Sequence, residues 1–165
     1  MQIQRLPPHI FTSFDVVELV GVTPIYLNAL VQRKLYGIKP SISGRGRKVR
    51  IFDEDDAYGI AFVWILFESG LRTQEIRTIL THLTQTRRAD AKYTAQGWLE
   101  TPAGEYLLVA RDPSQPKSKR LDVGRAHGYE IANILKENPM TSLLAIPIGT
   151  RFEEIKERIE SKYGG

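Results

Sequence analysis

The chain has 165 residues, of which 42% are hydrophobic and 25% charged, as in an ordinary globular protein of one domain or two small ones. It contains no cysteine, which excludes disulfides, thiolate metal sites and thiol nucleophiles. The net charge of +4 comes from one stretch, because residues 31–50 hold seven cations and no acid, whereas the other 145 residues hold 16 cations and 19 acids. Such a concentration of positive charge is typical of a surface that binds an anionic polymer.

The first predicted elements are two short helices separated by a tight turn. Thr12 or Ser13 can cap a helix that ends at Gly21, where glycine adopts a left-handed turn without a Cβ penalty. Thr23 and Pro24 then begin a second helix, because an N-cap residue followed by proline is typical of a helix start. This order of elements is the outline of a helix-turn-helix.

The second helix has two distinct faces. Leu27, Leu30 and Val31 follow the i, i+3, i+4 spacing and are predicted to be buried. The side chains predicted to face outward are Ile25, Tyr26, Asn28 and Gln32. On an outward face, asparagine is suited to pair with adenine and isoleucine to contact a thymine methyl group.

Residues 41–52 predict a small β-hairpin. Gly44 and Gly46 permit a tight loop, and residues 49–52 have the composition of a strand. The hairpin carries four of the clustered cations, Arg45, Arg47, Lys48 and Arg50. We interpret them as phosphate contacts and not as a solvated basic loop, because they follow a helix-turn-helix pattern.

A long helix is predicted from Asp53 to Gly70. Asp53 and Asp56 stand at its N-cap and N3 positions, and the acids of residues 53–56 lie where the helix dipole favours negative charge. Consecutive acids point in different directions around a helix, so we interpret them as a cap and not as a metal site. The predicted buried face consists of Ile60, Ala61, Trp64 and Phe67, and a further helix begins at Thr73.

The character of the chain changes near residue 86, and the predicted boundary lies at 86–96. The predicted domains are residues 1–86 and residues 87–165, the second being a small α/β unit that dimerises or binds a small-molecule or protein effector. Its elements, in order, are a hairpin over 97–112, a polar basic loop over 113–120, a helix over 129–136, a buried strand over 142–148 and an amphipathic helix over 151–163.

Six motifs occur in order between residues 11 and 80: Phe11-Thr12, VVELVGVTP at 16–24, Leu27, Leu35, RIFDEDDA at 50–57 and ESGLRTQEIRTIL at 68–80. Together they resemble the DNA-binding domain of the MerR family of bacterial transcription regulators. The resemblance implies an α+β fold with an N-terminal winged helix-turn-helix. It also implies sequence-specific binding to double-stranded DNA as a homodimer, with the second helix in the major groove and the hairpin, or wing, on the flanking backbone.

The predicted DNA contacts combine this resemblance with residue chemistry. Thr23 lies at a helix N-terminus, whose N–H groups bind phosphate, and Arg50 occupies the position of the family's wing arginine. The full predicted set is Thr23, Ile25, Tyr26, Asn28, Arg33, Lys34, Arg45, Arg47, Lys48 and Arg50.

The second helix departs from the family at one place. It has Asn28, Ala29 and Leu30 where family members usually have an arginine, an aromatic residue and a tyrosine. The alternative interpretation is therefore a protein-interaction module that has the winged-helix scaffold without DNA binding.

Other classes of function find no support in the sequence. His9, His82 and His127 share no metal-binding spacing, and GRGRKV lacks the third glycine of a dinucleotide fingerprint. We predict no enzymatic activity, no metal and no cofactor. The N-terminus lacks a signal-peptide core and the apolar run 60–67 is too short to cross a bilayer, which predicts a cytoplasmic, nucleoid-associated protein without membrane contact.

Overall fold

The computed structural model describes residues 10–33, 41–43, 49–85, 103–116, 120–138 and 142–164. The predicted hairpin loop and the predicted domain boundary at 86–96 lie outside the described residues. So do four of the predicted contact residues, Lys34, Arg45, Arg47 and Lys48.

The described elements alternate short strands with helices. In chain order they are β1 (Phe11–Thr12), α1 (Ser13–Val20), α2 (Pro24–Arg33), β2 (Ser41–Ser43), β3 (Val49–Phe52), α3 (Glu54–Glu68), α4 (Thr73–Gln85), β4 (Glu105–Arg111), β5 (Leu121–His127), a 3-10 turn (Gly128–Glu130) that leads into α5 (Ile131–Glu137), β6 (Ser142–Ile146) and α6 (Ile148–Tyr163). The predicted mixed α+β class is confirmed.

The strands form two separate antiparallel sheets. The first has the order β1-β3-β2 and pairs Phe11 with Phe52 and Ile42 with Arg50. The second has the order β5-β4-β6. The first sheet therefore fixes β3 beside the start of α1.

Local caps begin α1 and α3 and end α1 where the sequence predicts them. The Thr12 hydroxyl accepts a hydrogen bond from the Asp15 backbone N–H at 3.3 Å, and Asp15 accepts one from the Thr12 N–H at 2.8 Å. Gly21 ends α1 with a φ of +78°, the left-handed conformation that favours glycine. Asp53 and Asp56 form the corresponding capping box at the start of α3. The predicted caps are confirmed.

The long helix α3 is the centre of the core. Residues 57–66 are all buried, so that helix is surrounded on every side and does not bury only one face. Phe67, which was predicted to be buried, is 43% exposed because it lies in the last turn, where the surrounding elements end. The prediction for Phe67 is wrong.

The last helix, α6, belongs to one hydrophobic cluster that also contains residues of α3 and of both sheets. Phe152 of α6 stacks on Phe62 of α3 with 6.3 Å between ring centroids and an interplanar angle of 3°. The cluster also includes Leu107 and Val109 of β4, which were predicted to belong to a separate domain. The residues of both predicted domains that the structure describes thus share a core, and the division itself stays a prediction.

The C-terminal elements differ from the prediction in two places, at β5 and at the boundary between β6 and α6. The strand β5 occupies residues predicted to follow a loop, and it pairs with β4 along its whole length. The predicted partner strand of β4 in the 97–112 hairpin lies outside the described residues. The strand β6 ends at Ile146, and α6 begins at Ile148, three residues earlier than predicted, because Pro147 stands at its N-cap.

Within the described ranges, no single helix has the length and apolar character needed to cross a membrane. Only α1 and α2 taken together pass that test, and the chain bends by 112° between them.

Candidate nucleic-acid interface

An exposed stripe runs along one side of α2. Ile25, Asn28 and Gln32 are exposed and follow the i, i+3, i+7 spacing of one helix face. On the opposite side, Leu27 and Leu30 are buried in the core. Packing of these two leucines therefore fixes the direction in which the stripe points.

The N-terminus of α2 lies at one end of this stripe. The Tyr26 backbone N–H donates to the Thr23 hydroxyl at 3.2 Å, so Thr23 caps the helix, as predicted. Pro24 has no N–H to satisfy. The positive end of the helix dipole and the exposed Thr23 are thus located beside Ile25, which is 83% exposed.

The β3 strand contributes an arginine to the same surface. Side chains alternate along a strand, so Arg50 shares a face with Phe52, which is fully buried against the helices. The half-buried Arg50 therefore points towards α2, and its Nη1 donates a hydrogen bond to Oδ1 of Asn28 at 2.6 Å. This bond joins the strand of the predicted wing to the middle of the exposed stripe.

The prediction that Tyr26 faces outward is wrong. Its ring packs on Trp64 and Phe67 of α3, with centroid distances of 4.9 Å and 4.5 Å. Its hydroxyl group is buried and has no hydrogen-bond partner among the described residues. Burial raises the pKa of the Tyr26 phenol, and the nearby positive charge of Arg33 opposes this effect only in part. Tyr26 therefore anchors α2 on α3.

Six of the ten predicted contact residues are described. The structure brings Asn28 and Arg50 together, leaves Thr23 and Ile25 exposed at the start of α2, and leaves Arg33 exposed at its end. Sequence reasoning left Gln32 out of the contact set, although its spacing of four residues from Asn28 was the signal that could have included it.

The described groups of the α2 surface are hydrogen-bond donors and cations, and they do not form a metal site. Among the residues that the structure describes, no three His, Asp or Glu side chains are grouped to hold a metal ion. An amide, two guanidinium groups and a helix N-terminus instead provide hydrogen-bond donors and positive charge. Such groups recognise phosphates and base edges.

A second concave surface lies in the C-terminal part of the chain. A cavity of about 430 Å³ separates α5 from the second sheet, and Leu108, Ala110, Ile134 and Leu143 form part of its apolar lining. Arg120 and Asp122 also line it. The cavity is far along the chain from the α2 surface and shares no lining residue with it.

No protein family and no curated protein sequence matches this chain. The function is therefore inferred from the arrangement and chemistry of the residues described above. Of the surfaces described, the α2 surface is the one that combines an exposed helix face with described cations of the basic stretch, Arg33 and Arg50.

Proposed function

We propose that the protein binds duplex DNA sequence-specifically and acts in the cytoplasm as a homodimeric transcriptional regulator. In this proposal residues 11–80 form a winged helix-turn-helix. The stripe on α2 contacts base edges, and the β2–β3 hairpin holds the phosphate backbone. The observation that carries the proposal is the hydrogen bond from Arg50 to Asn28, since it holds a cationic strand beside an exposed helix face.

The geometry of the first two helices supports this proposal. The chain bends by 112° between α1 and α2, and residues 21–23 connect them. Helix-turn-helix units cross at about 90–120° and have a similarly short turn. The exposed stripe on the second helix and the buried leucines behind it also agree with a recognition helix.

The distribution of charge supports the same proposal. Arg33 ends α2 and Arg50 lies on β3, so cations occupy two sides of the stripe. The other five cations of the basic stretch lie between these two in the sequence. Binding of such a surface to DNA would release counterions and would weaken as salt is added.

The C-terminal part is proposed to dimerise or to bind an effector. Its cavity of about 430 Å³ falls in the range of roughly 300–1,000 Å³ found for small-molecule sites. Tyr129 is 80% exposed and is an apolar group available to a second copy of the chain.

A salt titration of duplex binding tests the proposal. The logarithm of the affinity should fall linearly with the logarithm of salt concentration, by about 0.9 for each phosphate contact. Arg47→Gln should reduce this slope by about 0.9, the value for one phosphate contact. Lys156→Gln removes an equal charge from the exposed face of α6 and should leave the slope unchanged. Absence of binding to any pool of duplexes at low salt would overturn the proposal.

The second candidate is a protein-interaction module on the same scaffold. Phe14 of α1 is 74% exposed and Ile25 is 83% exposed, so two large apolar side chains are available to a protein partner. For this candidate, Ile25→Ser should abolish binding of the partner protein. Neutralising Arg47 should not change how the affinity for that partner depends on salt concentration.

A further inference from the structure

The bond between Arg50 and Asn28 fixes the orientation of the asparagine amide. A guanidinium group only donates hydrogen bonds, so the oxygen of the amide, and not its nitrogen, must face Arg50. The observed distance from Arg50 Nη1 to Asn28 Oδ1 is 2.6 Å. Because the Asn28 side chain is exposed, its Nδ2 amino group remains accessible from the α2 face.

We propose that Arg50 determines the base preference of Asn28, so that the pair recognises guanine in preference to adenine. This proposal rests on the proposed DNA binding and names the base edge that the α2 surface selects. Arg50 is thus a specificity-determining residue in addition to a phosphate contact.

The chemistry of the base edges gives the reason. An asparagine pairs with adenine by donating to N7 and accepting from the N6 amino group, which requires a free carbonyl oxygen. In this chain Arg50 already donates to that oxygen. A second lone pair remains, but an adenine amino group that approached it would meet the positive guanidinium beside it.

Guanine avoids this conflict. Its major-groove edge presents two acceptors, N7 and O6. The Asn28 amino group and the remaining N–H groups of Arg50 all donate, and the positive charge favours acceptors over amino groups. The same two side chains therefore form a donor-only surface that is complementary to guanine.

Selection of bound duplexes from a random pool tests this proposal. Three proteins are compared: the wild type, Asn28→Ala and Arg50→Met. The base pair that Asn28 contacts is the one whose preference disappears in Asn28→Ala. The wild type should prefer guanine at that pair by roughly fivefold or more.

Arg50→Met frees the carbonyl oxygen and should change the preference to adenine, by roughly five- to a hundredfold over guanine. Its total affinity should fall, because a cation is lost, but the ratio between bases does not depend on total affinity. Arg50→Lys keeps a cationic donor and should keep the preference for guanine. Arg33→Met removes an equal charge without contact to Asn28, and should lower affinity without changing the preferred base.

The outcomes separate the two proposals. If the wild type binds duplexes but prefers adenine, or if Arg50→Met keeps the preference for guanine, this proposal is wrong and DNA binding stands. If no protein enriches any duplex at low salt, both proposals are wrong. If Arg50→Met does not fold, a wild-type preference for adenine at the pair identified by Asn28→Ala still overturns this proposal. Asn28→Ala can identify that pair because position 28 is exposed on the helix and tolerates alanine.

Discussion

The hydroxyl group of Tyr163 donates a hydrogen bond to Oδ1 of Asp15 at 2.9 Å and so joins the end of the last helix to the capping box of the first. The Tyr163 ring also packs edge-on against Phe11, with 5.3 Å between centroids. Five residues earlier in α6, Arg158 donates to the Leu19 carbonyl oxygen at 3.0 Å. The start and the end of α1 are therefore both held by α6.

Tyr163→Phe should lower the free energy of unfolding by about 1 kcal/mol, because it removes one hydrogen bond and keeps the ring contact. Urea unfolding followed by circular dichroism measures this change. Tyr129→Phe is the matched control, since Tyr129 is 80% exposed and its hydroxyl should contribute less than about 0.5 kcal/mol. Equal effects of the two substitutions would show that the bond to Asp15 contributes nothing.

The carboxyl group of Asp15 should make the fold sensitive to acid. Burial raises its pKa, but hydrogen bonds from Thr12 and Tyr163 and the positive charge of Lys162 together exceed that effect, and the pKa is lowered. A carboxyl group whose pKa is lower in the folded chain stabilises the fold above its unfolded pKa of about 3.9, and the contribution disappears as the pH falls through the folded pKa.

The free energy of unfolding should therefore decrease as the pH falls below about 5, and Asp15→Asn should reduce that decrease. Unfolding by urea at a series of pH values measures both curves. Glu75, whose pKa is also lowered against the effect of burial by hydrogen bonds from Arg72 and Arg111, should account for part of the remaining slope. Identical slopes in the wild type and Asp15→Asn would contradict the assignment.

Phe152→Ala should destabilise the whole chain by about 3–5 kcal/mol, because this buried ring contacts α3. The shared core also predicts that α3 and β4 unfold in one transition. Peptide-resolved hydrogen exchange measures the opening of α3 and of β4 separately, and the two exchange rates should depend on urea concentration in the same way. Separate transitions for α3 and β4 would instead indicate that residues 1–86 and 87–165 fold independently.

The sequence was sufficient for the features that depend on neighbouring residues. The capping boxes of Thr12 with Asp15 and of Asp53 with Asp56 each join residues three apart, and Gly21 provides a conformation that other residues rarely adopt. The spacing of Leu27 and Leu30 likewise identified the buried side of α2. These interactions are local, so composition and spacing contain the information.

The features that the sequence did not predict depend on distant contacts. Helical spacing placed Tyr26 among the outward residues, but the aromatic rings on α3 bury it. The strand β5 contains Gly124 and Arg125 and lacks a regular apolar alternation, so its formation depends on pairing with β4. The contact between Asn28 and Arg50 joins residues 22 apart, and no local pattern indicates it.

Tyr26→Phe should leave the fold at least as stable as the wild type. The hydroxyl group is buried without a described partner, so its removal eliminates a desolvation cost of about 1 kcal/mol or more. DNA affinity should not change, because the ring that anchors α2 on α3 is kept. A loss of affinity with unchanged stability would show that Tyr26 contacts DNA directly, and Tyr26→Ala, which removes the ring, should lower stability in either case.

A double-mutant cycle of Asn28→Ala and Arg50→Met should give a coupling energy of about 0.5–1.5 kcal/mol in the absence of DNA. This coupling energy is small for a hydrogen bond from a charged donor, because Asn28 is exposed and Arg50 is only half-buried. Urea unfolding of the four proteins measures it. A second cycle of Asn28→Ala with Arg33→Met is the control and should be additive within about 0.3 kcal/mol, since no hydrogen bond joins that pair. Additivity in the first cycle would mean that Arg50 does not hold the Asn28 amide in the free protein, and the base preference derived from that orientation would lose its basis.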